Sequence, residues 1–167
     1  MIRATHVLHA GTWDRTEEVD TVELPHDERH RRRIAMRGKK DTVFLLDLPE
    51  ATILRDGDGL ALADGRIVRV VSAIEPVVEI GGNPHLLARV AWHLGNRHVP
   101  AQILPDRIRI GRDHVLEKMA KSLGAQVLHN EAPFEPESGA YMGRAAHDHA
   151  QAHTHDNKHH RGSDHDQ

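Results

Sequence analysis

The sequence predicts an α+β chain in three parts. A small β-barrel or sandwich spans residues 1–75, a ferredoxin-like β-α-β-β-α-β domain spans 76–136, and a disordered, histidine-rich tail spans 137–167. Three observations predict this. Short apolar runs broken by turn residues fill the first half. The apolar period lengthens to that of helices after about Ile74. Beyond Pro136 apolar periodicity stops and His, Asp, Gly and Ala dominate, a composition that cannot bury enough surface to offset its ordering entropy.

In the first part, Val19 to Leu24, Arg32 to Met36, Thr42 to Leu48, Leu60 to Ala63 and Arg66 to Ala73 are the expected strands. Asp64-Gly65 joins the last two at hairpin spacing, because that pair accepts the positive φ values of a tight primed turn. Asp56-Gly57-Asp58-Gly59 marks another reversal; the rest of a calcium loop is missing, so these aspartates are assigned to turns. The run Arg29-His30-Arg31-Arg32-Arg33 is expected to be a solvated strand face, since the overall charge is acidic and no aromatics are interleaved for stacking on bases.

In the second part, Val77 to Ile80 is a short strand. Asn83 and Pro84 fit an N-cap and first helical position, and Leu86, Leu87, Val90, Ala91 and Leu94 form an apolar stripe. Gly95 is the expected left-handed cap, after which the backbone passes through His98 into an extended segment, Val99 to Leu104. Pro105-Asp106 turns the chain into Arg107 to Ile110. Asp113 caps a second helix with the stripe Val115, Leu116, Met119 and Leu123, closed by Gly124, and Ala125 to His129 is the last strand. That order is the split β-α-β arrangement, one sheet with two helices on one face.

The chain has 167 residues, a formal net charge of -3 and no cysteine. Disulfides, thiolate metal sites and cysteine nucleophiles are therefore excluded, and any transition metal must bind imidazole, carboxylate, backbone or water. Mild acidity gives no reason to expect nucleic acid or an anionic membrane as partner. No run approaches the roughly 20 apolar residues of a membrane span, and a soluble, cytoplasmic protein is expected. His98, at a helix–turn–strand junction, is placed to hold one imidazole in a fixed direction. His147, His149, His153, His155, His159, His160 and His165 recur among acids and alanines in the tail. An expression tag would be an uninterrupted run, so the tail is taken as native. With an unperturbed pKa of about 6.5, most of these nitrogens are free to coordinate near neutrality. Such donors suit nickel, copper, zinc and cobalt, and ligand chemistry alone does not choose among them.

The run aromatic-His-Leu-Gly-Asn-Arg-His-x-Pro, Trp92 to Pro100, resembles the signature of the urease accessory nickel chaperone family UreE. The likeness extends through Asp-His-Val-Leu at 113 to 116 and, in the first half, through the arginine-rich strand, Leu-Arg-Asp-Gly-Asp-Gly-Leu and the second Asp-Gly hairpin. It implies a peptide-binding-like β domain, then a metal domain in which His98 is the principal ligand and His114 an auxiliary one. Some relatives carry another His two positions before that one; this chain has Arg112, which puts a two-His site there in doubt. The resemblance implies no catalysis but storage of Ni(II) and its delivery to the urease activation complex, with the urease accessory GTPase and the apo-urease assembly complex as partners. One imidazole cannot hold a transition metal tightly, because a stable site needs roughly four to six donors. A two-fold homodimer would place His98 beside its own copy, and tail imidazoles, nearest first His147 and His149, would complete the shell; whether dimers join further around metal is left open.

Two other readings remain. A general buffer for nickel, zinc or copper would depend on the tail alone. A metal-dependent hydrolase built on His98 and His114 lacks a general base in a metal-helix motif and a nucleophile elbow. His93 is unassigned, His85 and His129 are read as exposed surface residues, and Met119 as core.

Overall fold

The strand nearest the middle of the first sheet is one that periodicity does not announce. In the computed structural model, which describes residues 1–138, Ile2–Leu8 (β1) runs between two partners although only Ala4 of its seven residues is buried. The other strands of this sheet are Glu18–Leu24 (β2), His30–Arg37 (β3), Val43–Ile53 (β4), Gly59–Leu62 (β5) and Ile67–Ser72 (β6). They lie in the order β2-β6-β5-β1-β4-β3, with β1 parallel to β4, β2 parallel to β6 and the remaining pairs antiparallel.

This single sheet curls into a half-barrel, neither a two-sheet sandwich nor a closed barrel. Ala4, Phe44, Leu46, Leu54, Leu60, Val68 and Val70 fill its concave side. Its first and last strands are pinned at one end by Asp20, a β2 residue with no exposed surface. The Asp20 carboxylate accepts from the amides of Thr21 at 2.7 Å, Lys40 at 2.8 Å and Thr42 at 3.0 Å, and the Lys39 amide donates to the Thr21 carbonyl at 2.8 Å. A side chain at Gly38 would collide with this carboxylate, which is why the turn passes over it bare. Asp64-Gly65 makes the expected hairpin between β5 and β6, with Gly65 at φ 87°.

Arg29 departs from the expected solvated face. It is 2% exposed and ranks among the largest fully buried side chains. The two aspartates of the Asp-Gly-Asp-Gly turn are structural, as expected: Asp58 accepts from the amides of Arg55 and Ala10, and Asp56 from that of Ser72.

The second sheet is built from Ile74–Gly81 (β7), Ala101–Ile103 (β8), Arg107–Gly111 (β9) and Gln126–Pro133 (β10), with helices Pro84–Gly95 (α1) and His114–Ser122 (α2). Its order is β10-β7-β9-β8 and every pair is antiparallel. Val78, Ile80, Ile108 and Ile110 face Val90 and Leu94 of α1 and Leu116 and Ala120 of α2. The expected stripe of α1 holds. That of α2 needs correction: Val115 is 61% exposed, and Ala120 takes its place in the core. The β10 strand runs four residues past its expected end, and β8 is shorter than expected. Met1–Glu137 form one compact unit. The tail histidines lie outside the described residues.

Burial alone would raise the pKa of Asp20, but the Lys40, Thr21 and Thr42 donors outweigh it and hold the carboxyl below its ordinary value. A depressed folded-state pKa contributes stability that is fully present above the unfolded value, about 3.9, and is lost as pH falls through the folded value. Asp20→Ala is therefore expected to lower the unfolding free energy by about 3 kcal/mol at pH 7. In urea titrations its gap from wild type should narrow below about pH 4; a gap independent of pH would contradict this role.

Candidate metal centre

Helix α1 begins as the sequence directs. The Asn83 side chain accepts from the Leu86 amide at 2.9 Å, and Pro84 occupies a position where its missing N–H is no loss. Its other end differs from expectation. Gly95 does not adopt a positive φ; the left-handed residue is His98 itself, at φ 54°. The His98 amide donates to the Gly95 carbonyl at 3.0 Å and the Val99 amide donates to the Leu94 carbonyl at 3.2 Å. These are the two bonds of a Schellman cap with its left-handed position at His98, and Val99 packs against the core containing Leu94.

Helix α2 closes with the same motif. The Gly124 amide bonds to the Lys121 carbonyl at 3.0 Å and the Ala125 amide to the Ala120 carbonyl at 3.1 Å, with Gly124 at φ 97°. Where α2 uses glycine, the residue without a Cβ penalty, α1 uses histidine. Its imidazole is exposed, one residue before Val99-Pro100 leads into β8.

The other candidates are dispersed. His114 is the exposed first residue of α2, whose N-cap Asp113 accepts from the amides of Val115 and Leu116 at 2.8 and 3.0 Å. His129 is exposed but engaged, its Nε2 2.8 Å from the Glu117 carboxylate. His93 is half-buried, with its ring edge-on to Trp92 at 5.0 Å between centroids. Among the described residues no three His, Asp or Glu side chains come together to hold an ion. His147, His149, His153, His155, His159, His160 and His165 lie outside those residues.

One feature that the core pattern hides is the outer face of α1. His85, Ala88, Arg89, Trp92 and His93 line a shallow groove of about 380 Å³, and Trp92 is 65% exposed. The spacing i, i+3, i+4, i+7, i+8, with a tryptophan opposite the apolar stripe, marks this second face in the sequence. No helix among the described residues is long and apolar enough to cross a membrane.

Comparison with known proteins bears on both halves. Residues 1–73 match the model of the UreE urease accessory protein N-terminal domain, and residues 75–165 that of the C-terminal domain. The chain is 57% identical over 142 residues to a urease accessory protein UreE of Bradyrhizobium sp. (strain ORS 278), covering 84% of this chain and 67% of that one. It is 51% identical over 160 residues to the UreE of Chelativorans sp. (strain BNC1), covering 93% and 98%. It is 47% identical over 157 residues to that of Rhodobacter capsulatus, covering 93% and 97%.

Two substitutions separate the capping roles. Gly95→Ala is expected to stabilise the chain by about 0.5–1 kcal/mol, because Gly95 is helical and a Cβ there meets open space. His98→Gly should exceed His98→Ala in unfolding free energy by about 1 kcal/mol, since only alanine keeps the left-handed penalty. Urea unfolding of the three variants checks both; a destabilised Gly95→Ala chain would return the left-handed position to Gly95.

Proposed function

The chain belongs to the UreE family of urease accessory proteins, and on that premise we propose that it is a non-enzymatic nickel metallochaperone acting in the cytoplasm. It stores Ni(II) and passes the ion to the urease activation complex, through the accessory GTPase and the apo-urease assembly. The observation that carries this reading is His98, an exposed imidazole that the α1 cap holds in a left-handed backbone. A non-glycine residue kept in that region by surrounding hydrogen bonds is a reasoned starting point for a functional hypothesis.

Residues 76–136 act as the ferredoxin-like metal domain and residues 1–75 as the peptide-binding-like domain. His98 supplies one nitrogen, and the described residues offer no second and third donor beside it. A homodimer resolves the shortage by bringing the two His98 copies to one ion across a two-fold axis. The exposed Trp92 and its groove on α1 are the surface by which the copies meet, because a large aromatic gains most from being covered. His114 is an auxiliary ligand. His147 and His149, then His153, His155, His159, His160 and His165, add further donors as metal accumulates.

Nitrogen donors also take Zn(II), Cu(II) and Co(II), and intrinsic affinity favours copper. Membership of a urease accessory family supports nickel among these. An exposed site suits transfer, since an acceptor's ligands can replace the donor's one at a time.

Equilibrium nickel titration of the full chain tests this reading. His98→Ala should lose the tightest site while the monomer fold persists. A chain ending near residue 143 should bind fewer ions yet keep one site and the dimer. An unchanged tightest site in His98→Ala would refute the mechanism. For the interface, Trp92→Glu should convert the dimer to monomer in sedimentation velocity; a persisting dimer would place the contact elsewhere.

A further inference from the structure

A short strap ties the half-barrel to the strand that His98 leads into. Its anchor is Arg29, whose guanidinium is buried where the two sheets meet. Nη1 donates to the Ser72 hydroxyl at 2.9 Å and to the Glu135 carboxylate; Nη2 donates to the Phe134 carbonyl; and the Ser72 hydroxyl donates to Glu135 as well. The ring of His26 stands edge-on to Phe134 at 5.2 Å, and its amide donates to Glu75 at 3.2 Å. The backbone carbonyl of Arg29 accepts from the Leu54 amide at 2.8 Å, so the loop that presents the guanidinium is itself fixed.

Beyond Phe134 the chain runs along β8. The Glu135 amide donates to the Gln102 side chain at 3.2 Å and the Glu137 amide donates to the Ala101 carbonyl at 2.9 Å. This matters because β8 has three residues and, among the described residues, a single strand neighbour, β9. The strap is its other lateral support. Only Val99 and Pro100 separate His98 from Ala101. The imidazole therefore hangs between the α1 cap on one side and a strand steadied by the strap on the other.

We propose that Arg29 is a positioning residue for the His98 metal site, acting through Glu135 and β8. Charge buried without its partner is strongly disfavoured, so the guanidinium keeps Phe134 and Glu135 in place, and these keep β8 in register. Residues that orient a ligand from behind tune metal affinity without touching the ion. The inference rests on His98 being a ligand, as proposed above, and extends the site into the half-barrel.

The experiment is a nickel titration, with a competing chelator, of the full chain carrying Arg29→Met, Arg29→Lys or Glu137→Pro, each also in a His98→Ala background. Glu137→Pro deletes the amide donor to Ala101 and replaces none of the partners of Arg29, so it serves if Arg29→Met does not fold. Arg29→Met and Glu137→Pro should each weaken the tightest site about tenfold, with partial rescue by lysine at 29. Amide exchange at Gln102 and Ile103 should quicken in parallel. In the His98→Ala background the same changes should leave residual nickel binding unaltered. Unchanged affinity in Glu137→Pro, or an equal loss with and without His98, would overturn the positioning role. If His98→Ala alone leaves the tightest site intact, it is the ligand assignment that fails.

Discussion

An L-amino acid with a Cβ costs roughly 1–2 kcal/mol in the left-handed region, and the arrangement at His98 depends on that cost being met. Two capping hydrogen bonds from the amides of His98 and Val99, and the packing of Val99 beside Leu94, over-determine the conformation. The penalty selects glycine at the matching position of α2, where Gly124 performs the same closure. Placing histidine in α1 accepts strain in return for a side chain whose root cannot wander. A left-handed residue has few backbone alternatives once its flanking bonds are made, so only the side-chain torsions remain to aim the ring.

That single constraint shapes the function proposed for the chain. One well-directed imidazole is too few donors for tight binding, and other histidines of the described residues are engaged elsewhere: His129 is paired with Glu117, and His93 lies against Trp92. The shortage is a useful property for a carrier. A site completed by a second copy of the chain and by additional imidazoles can be assembled when metal is present and dismantled ligand by ligand. The open face of the second sheet adds rigidity: Glu79, held below its usual pKa first by Arg109 and, against burial, by Arg107, clamps two neighbouring strands.

Much of this was legible in the sequence. The helix starts at Asn83 and Asp113, the Asp64-Gly65 hairpin and the α1 stripe follow from local chemistry that tertiary context leaves alone. The β1 strand is faint in the sequence because Ile2–Leu8 has one buried residue, the small Ala4, so no apolar alternation marks it. Arg29 was misplaced for a different reason. An arginine opening a basic run signals solvent, and its burial depends on Glu135 and Ser72, which are far away in the chain. The left-handed position lies three residues beyond Gly95, the default choice, because nothing local says that the turn Asn96 to His98 winds on from the end of α1 before the chain reverses. The candidate residue was therefore readable from its motif, and its left-handed backbone only from the structure.

The most direct test is anomalous diffraction at the nickel edge from crystals of the nickel-loaded full chain. The account predicts one strong peak on a two-fold axis between two chains, flanked by the imidazole of His98 from each. A principal peak remote from His98, or one reached by His98 of a single chain, would contradict it.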